Sequence, residues 1–306
     1  MTTTMRAYVA TSARAHPRWM TIDRPTPAPN EVLVRVHAAS INPVDRNYQL
    51  MHRLFAVPVH YPMILGNDFA GTVVQLGSAV TGLKIGDAVY GRTPHARTGT
   101  FAEYLAISSV AVAKAPVNLN LTAAAAVPLV GLTAYQALHE HLQLRAGQRV
   151  LITAGSGGVG SFAIQLAWAR GAHVITTTSQ RHVQLVENLG ADEVIDYHQT
   201  DFSTELHDLD AAFDTHGHGD AQRMLKVLRP SGRLVTIAGL PPFSFGREQH
   251  LDPLRRGLLR AAYLPMSRRV RAARVVSHFL LMHSSGPQVA WHTALIDAGQ
   301  VQQVID

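Results

Sequence analysis

The chain has 306 residues, no cysteine, 47% hydrophobic and 16% charged residues, and a formal net charge of +6. Such a length suits two domains or one large one, and the apolar fraction excludes a disordered chain. The absence of cysteine excludes disulfides, thiolate nucleophiles and cysteine-bound metal.

No apolar run approaches the roughly 20 residues that span a bilayer. Met1–Ala10 lacks the basic, apolar and small-residue pattern of a secretory signal. The default expectation is a cytoplasmic enzyme.

The first part of the chain carries short β-branched runs cut by Gly and Pro. Strands are predicted at Arg6–Ala10, Glu31–Ala38, Ala70–Leu76, Ala88–Tyr90, Phe101–Ile107 and Ala111–Lys114. Gly77-Ser78, Thr81-Gly82 and Ile85-Gly86-Asp87 read as turns. The character changes near residue 125. Strands at Arg149–Thr153, His173–Thr178, Glu193–Ile195, Asp210–Asp214 and Arg233–Ala238 then alternate with helices at Val159–Arg170, Arg181–Leu189 and Asp220–Leu228. That alternation predicts βαβ units around a parallel sheet. Many arginines fall between Arg247 and Arg274. They lie among Leu, Ala and Val with no interleaved aromatics for base stacking. A solvated helix face is therefore preferred to a nucleic-acid contact.

The strand at Arg149–Thr153 runs into Gly155-Ser156-Gly157-Gly158-Val159-Gly160, and a helix follows. The spacing Gly155, Gly157, Gly160 is that of a dinucleotide fingerprint. The first glycine permits the turn, the second lets backbone approach a pyrophosphate, and the third lets helix and strand pack closely. The helix start offers free N–H groups and partial positive charge. An NAD-preferring site places a carboxylate at the end of the next strand, about 20 residues on. Here the stretch is Thr176-Thr177-Thr178-Ser179-Gln180-Arg181-His182, without an acid. Hydroxyls and an arginine suit a 2′-phosphate. NADP is thus expected over NAD, while a solvent-facing Arg181 remains the other reading.

Several runs are similar to a known family in order and spacing. They are Asn30–Val36, Ile41-Asn42-Pro43-Val44-Asp45, Gly66–Val74, Val80–Val89, Ala124–Pro128 with Gly131–Tyr135, and Gly190–Tyr197. The chain resembles the medium-chain dehydrogenase/reductase superfamily, in its zinc-independent quinone oxidoreductase branch. The resemblance implies an α/β protein: a GroES-like β-rich catalytic domain at 1–125 and a Rossmann doubly wound parallel sheet at 126–265, with the active site between them. A segment at 266–306 would finish the sheet and return toward the catalytic domain. It further implies that Asn42 and Thr133 lie near the nicotinamide and that Gly158-Val159 touches the pyrophosphate. Ser179, Arg181 and Tyr197 match positions that hold the 2′-phosphate. The loops after Asp214 and Ala238, the latter beginning at Gly239, would approach the nicotinamide by backbone. A homodimer joined at the sheet edge is usual in such relatives.

Zinc-dependent relatives carry a Cys and a His-Glu pair after a glycine; here Gly66 precedes Asn67-Asp68. A site built from His52, His60 and Asp68 is chemically conceivable, but the spacing does not support it, and no metal is expected. Without a Lewis acid, hydride transfer to a quinone or an α,β-unsaturated carbonyl fits better than alcohol oxidation. Asn42, Asp45 and Tyr61 are the candidate catalytic residues. Tyr61 is a proton donor on one reading and a packing residue on the other. An enoyl-thioester reductase, a non-enzymatic nucleotide or RNA binder, and a catalytically impaired chain remain open. Ala294–Gly299 reads as the end of a helix and Val301–Asp306 as a strand. Relatives of this kind continue with another helix and strand, roughly 30 residues with their connections.

Overall fold

The computed structural model describes residues 3–12, 14–46, 60–95, 97–248 and 250–305. Contacts group the chain into two units. One takes the chain up to Leu132 and again His283–Gly299; the other takes Thr133–Met282 and Gln300–Val304. The boundary falls inside the helix Pro128–Tyr135, against 125/126 in the sequence reading. The second crossing lies at Met282, against 265/266.

The first unit is built from short antiparallel strands. β1 (Thr4–Ala10), β2 (Arg18–Asp23), β3 (Glu31–Ala38), β4 (Met63–Ile64), β5 (Asp68–Leu76), β6 (Ala88–Arg92), β7 (Tyr104–Ser108) and β8 (Val112–Lys114) form two sheets, ordered β2-β1-β4 and β7-β3-β5-β6-β8. Val32, Val34, Phe69, Val73, Val89, Leu105 and Ile107 make the core of the larger sheet. β2 was not predicted. It is an edge strand with no buried residue and with Trp19 57% exposed, so it carries little apolar alternation. The strand predicted from Phe101 begins only at Tyr104, after the residues that bridge to β1 through Ala102.

The helix Gly286–Asp297 belongs to this unit. Ser285 caps it by accepting from Gln288 N. A Cβ at Gly286 would lie 2.6 Å from the Val112 carbonyl oxygen, so only glycine lets the helix start sit there. Tyr90 Oη donates to the Val289 carbonyl at 3.0 Å and pins the helix to β6.

The second unit is a six-stranded parallel sheet: β9 (Arg149–Ile152), β10 (His173–Thr178), β11 (Glu193–Asp196), β12 (Leu209–Asp214), β13 (Leu228–Thr236) and β14 (Val276–Phe279). The order is β11-β10-β9-β12-β13-β14, all neighbours parallel. Counted within the unit this is 3-2-1-4-5-6, the doubly wound Rossmann order. The expected fold class is the observed one. The winding direction reverses between β9 and β12, and ligands of open α/β sheets bind outside the strand ends at that point. The helix Gly158–Ala169 is almost wholly buried, from Gly160 through Ala167.

The arginine-rich stretch forms the helix Pro253–Ala273, capped by Asp252, with no buried residue. Met266, Val270 and Ala273 rest on the sheet core, while Arg255, Arg260, Arg268, Arg269 and Arg271 are exposed. The strand expected at Val301–Asp306 is not present over the described residues. Instead the Gln165 side chain takes the place of a strand partner. Its Nε2 donates to the Gln302 carbonyl (3.0 Å) and its Oε1 accepts from Gln302 N (2.8 Å).

Candidate active site

The glycine loop follows from steric limits. A Cβ at Gly155 would lie 2.2 Å from Thr176 Oγ1, and one at Gly160 would lie 2.2 Å from the Ala154 carbonyl oxygen. Neither contact leaves room for a side chain, so these two glycines let loop, helix and β10 pack closely. Gly157 differs: its Cβ would meet only the Ala154 oxygen, at 3.3 Å. It is exposed, precedes the first helical residue, and supplies no side-chain cap. The helix therefore starts with backbone N–H groups that no side chain satisfies, which suits an anionic group.

Three consecutive threonines, Thr176–Thr178, end β10. In the fold they stitch the loop. Thr176 Oγ1 donates to the Ile152 carbonyl (2.7 Å), Ala154 N donates to Thr177 Oγ1 (3.2 Å), and Thr178 Oγ1 donates to Ser156 Oγ (3.0 Å). Thr153 and Thr215 join the loops that leave β9 and β12: Thr215 Oγ1 donates to the Thr153 carbonyl at 2.6 Å. Asp214 shapes the second of these loops by accepting from Gly217 N (2.7 Å) and from Thr236 Oγ1 (3.0 Å). Burial raises its carboxyl above the usual range.

Ser179 follows Thr178 directly, half-buried, and Arg181 is exposed on the turn Gln180–His182. Tyr197 N donates to the Thr178 carbonyl (3.3 Å), and its ring is 57% exposed. Ser179 and Tyr197 thus flank one strand end. The carboxylate opposite Thr178 is Asp196, which already accepts from His198 N and Gln199 Nε2. Gly239 follows β13 with φ of +89° and open space around a Cβ position. Thr133 is buried in the helix Pro128–Tyr135.

In the first unit Asn42 and Asp45 sit in a buried polar group that the sequence reading did not assemble. Asn42 N donates to Asp45 Oδ2 (2.7 Å), and Asn67 Nδ2 donates to Asp45 Oδ1 (2.7 Å). Arg92, 1% exposed, donates from Nη2 to Asn67 Oδ1 (3.2 Å) and to His95 Nδ1 (2.8 Å). Asn67 therefore relays between a buried guanidinium and a buried carboxylate. Asp68, 0% exposed, accepts at Oδ2 from Ser40 Oγ (2.7 Å) and Asn42 Nδ2 (3.3 Å). Burial pushes Asp68 up to about 7, opposed by the Ser40 hydrogen bond and by Arg92. The same burial raises Asp45 and lowers Arg92 to about 10, so the guanidinium is charged near neutrality. Tyr61 is half-buried, just ahead of β4.

A sequence signal existed for part of this group. Asp68 and Arg92 end otherwise apolar strands and are paired across β5 and β6. Ser284, to which Arg92 Nη1 donates at 3.4 Å, gave none. Of the histidine-aspartate metal alternative, His52 lies outside the described residues. Among the described residues no cluster of three or more His, Cys, Asp or Glu is arranged to hold a metal.

Comparison with known proteins agrees with this architecture. The alcohol dehydrogenase GroES-like domain model matches residues 28–117, and the model named zinc-binding dehydrogenase matches 158–260. The chain is 33% identical over 299 residues to the mitochondrial NAD(P)H oxidoreductase RTN4IP1 of Bos taurus, covering 91% of this chain and 75% of the relative. It is 38% identical over 228 residues to the 2-methylene-furan-3-one reductase of Solanum lycopersicum, covering 71% of this chain and 58% of the relative. The solved quinone oxidoreductase of Coxiella burnetii superposes with a TM-score of 0.81 at 28% identity, covering 99% of this chain and 90% of the other. The cytoplasmic expectation is corrected by these relatives. The bovine protein and its human, mouse and zebrafish counterparts are all named as mitochondrial. An unremarkable first ten residues was too thin a basis for a compartment. No described helix is long and apolar enough to cross a membrane.

Proposed function

The chain belongs to the medium-chain dehydrogenase/reductase superfamily, in its quinone oxidoreductase-like branch, and on that premise we propose that it reduces a quinone or an α,β-unsaturated carbonyl compound with NADPH. It is an oxidoreductase of that family, with a nicotinamide cofactor and a small-molecule substrate. One observation carries the finer reading. The uncapped helix start at Gly157–Gly160 lies beside a β10 end that offers Ser179 and Arg181 and whose neighbouring carboxylate is already engaged.

When bound, NADPH supplies the hydride. The residues proposed to hold it are Gly155, Gly157, Gly158, Val159 and Gly160 at the pyrophosphate, and Ser179, Arg181 and Tyr197 at the 2′-phosphate. Asn42, Thr133 and Gly239 serve the nicotinamide end. Asp45 fixes the backbone of Asn42 through a 2.7 Å hydrogen bond. Tyr61 is proposed to orient the acceptor. The zinc-independent part rests on the donor set. Both ends of the Asn67 amide are committed, Asp68 Oδ2 accepts two hydrogen bonds, and the Arg92 cation is buried alongside. A second cation at that place would be repelled. With no Lewis acid, conjugation in the acceptor must make hydride transfer feasible, and the protein contributes alignment. A homodimer is part of the proposal. β14 ends the described sheet with Val276 54% exposed, an edge that a second copy would cover.

The test is oxidation of NADPH and of NADH with a quinone, an enone and an enoyl thioester. Turnover with quinone or enone, faster with NADPH, is expected. A preference for the thioester reassigns the acceptor, and no oxidation with any of the three overturns the proposal.

A further inference from the structure

The helix Pro253–Ala273 carries two apolar stripes, and the sheet uses one of them. Leu259, Tyr263, Met266, Val270 and Ala273 recur at helical spacing and face inward. Met266, Val270 and Ala273 pack on the sheet core, Tyr263 hydrogen-bonds Ser277 of β14, and Leu259 lies against Gly246. Leu254, Leu258, Ala261, Pro265 and Ala272 form a second stripe, with the same i, i+4, i+7, i+11 spacing but five residues out of step. Five residues turn a helix about 140° past a full turn, so this stripe faces away from the sheet. Leu254 is 73% exposed and Leu258 63%, and Ala261, Pro265 and Ala272 are exposed as well.

The charge is concentrated on the same helix. The chain holds 27 basic and 21 acidic side chains. Residues 252–274 contain seven arginines and one acid, Asp252, which leaves twenty of each sign elsewhere. The whole net charge of +6 is therefore carried by this segment. Among the described residues only Arg255 of the seven forms an ion pair, with Asp252 at 3.3 Å. Arg268 and Arg271 flank the outward stripe on one side, and Arg255 and Arg269 on the other.

We propose that this face is a docking surface for an anionic lipid bilayer, on which the helix lies parallel to the membrane plane. Its leucines enter the boundary between headgroups and acyl chains, and its arginines meet the lipid phosphates and carboxylates. Such a helix lies on a bilayer and does not cross it. Other occupants match only part of the face. A second copy would bring seven arginines against seven. RNA offers phosphates to the arginines but nothing to the exposed Leu254, Leu258 and Leu264, and the outward face has no aromatic side chain for base stacking. A planar anionic surface with an apolar layer beneath it matches the charge and the stripe together.

The test is flotation of the full chain with vesicles of phosphatidylserine and phosphatidylcholine, beside vesicles of phosphatidylcholine alone. Binding to the mixed vesicles only is expected. It should fall as salt rises from about 0.1 M to about 1 M, where screening shortens from about 10 Å to about 3 Å. Arg268→Gln with Arg271→Gln should weaken binding about twenty-five-fold, at about fivefold for each arginine. Leu254→Ser with Leu258→Ser should weaken it about tenfold. All four residues are exposed, so both variants should melt like wild type. Equal binding to the two kinds of vesicle, or binding to neither, would overturn the proposal. So would a leucine variant that binds as tightly as wild type, because only a polyanion contact would then remain. RNA bound more tightly than the mixed vesicles would overturn it in favour of a nucleic acid. An oligomer that the leucine variant dissociates in the absence of vesicles would overturn it in favour of a second copy. Should the serine variant not fold, Leu258→Trp gives an independent reading. Brominated acyl chains in the anionic vesicles should quench its fluorescence beyond the wild-type signal, and no added quenching would overturn the proposal.

Discussion

The two units are ordered by opposite means. The Rossmann unit presents backbone: Gly155 and Gly160 are small because Thr176 and Ala154 leave no space, and the helix start keeps its N–H groups without a cap. The β-rich unit presents side chains, and every one is held by another. Ser40, Asn42, Asp45, Asn67, Asp68 and Arg92 form a buried group with two carboxylates and one guanidinium. A backbone cradle depends on local sterics and tolerates little bulk. A buried charged network depends on balance, and removing one member leaves the others desolvated without compensation.

That contrast can be broken most severely at Arg92. Arg92→Met should destabilise the protein by about 3 kcal/mol, because Asp45 and Asp68 stay buried without their cation. Chemical denaturation measures it, and the loss should shrink when Asp68→Asn is added. A loss that is unchanged in the double variant would mean that the guanidinium acts by packing alone.

In the other unit the glycines separate by role. Gly160→Ala forces a methyl group against backbone and should cost roughly 1–3 kcal/mol of stability. Gly157→Ala, at φ −78° with one contact at 3.3 Å, should melt like wild type yet bind the cofactor more weakly. Melting curves and NADPH titrations of both variants distinguish packing from approach. Equal melting temperatures for the two would contradict the steric account.

The next effect is a pH dependence. Asp68 is raised by burial from 3.8 to about 7, with Ser40, Arg92 and Asn42 pulling it down and Asp45 pushing it up. A raised carboxyl favours the folded state most below its unfolded value. That contribution is lost as pH rises toward about 7. Asp68→Asn removes this dependence. The stability of wild type relative to the variant should therefore fall between about pH 4 and pH 7 and then level off. A flat difference across that range would contradict the burial account.

The smallest effect is at Arg181. It is exposed and forms no ion pair among the described residues. Arg181→Ala should weaken NADPH a few-fold, consistent with a solvent-screened contact, and leave NADH unchanged. Parallel titrations with the two cofactors check it.

The same contrast explains what was legible in the sequence. Strand, glycine loop and helix are contiguous between Arg149 and Ala169, so their order was readable from the spacing of three glycines. The alternation of strands and helices likewise predicted the parallel sheet. The buried polar group was not legible as a group. Its members come from positions 40, 42, 45, 67, 68 and 92, and meet through the pairing of β5 with β3 and with β6. Asn42 and Asp45 stood out through their motif, but what holds them did not. The threonines of β10 were legible as a run but not in their use: their hydroxyls hold the loop. At the C-terminus, β-prone residues from Val301 onward suggested a strand, but the side chain of Gln165 satisfies Gln302 instead.

Hydride transfer from NADPH to a conjugated acceptor is the central claim, and isotopic labelling reaches it directly. The protein is incubated with NADPH carrying deuterium at the transferring position of the nicotinamide and with an enone, and the product is analysed by mass spectrometry and NMR. Deuterium bound to the β-carbon of the saturated ketone is the predicted result. Product without deuterium at that carbon, or no product from the enone together with no oxidation of NADPH by a quinone, would contradict it.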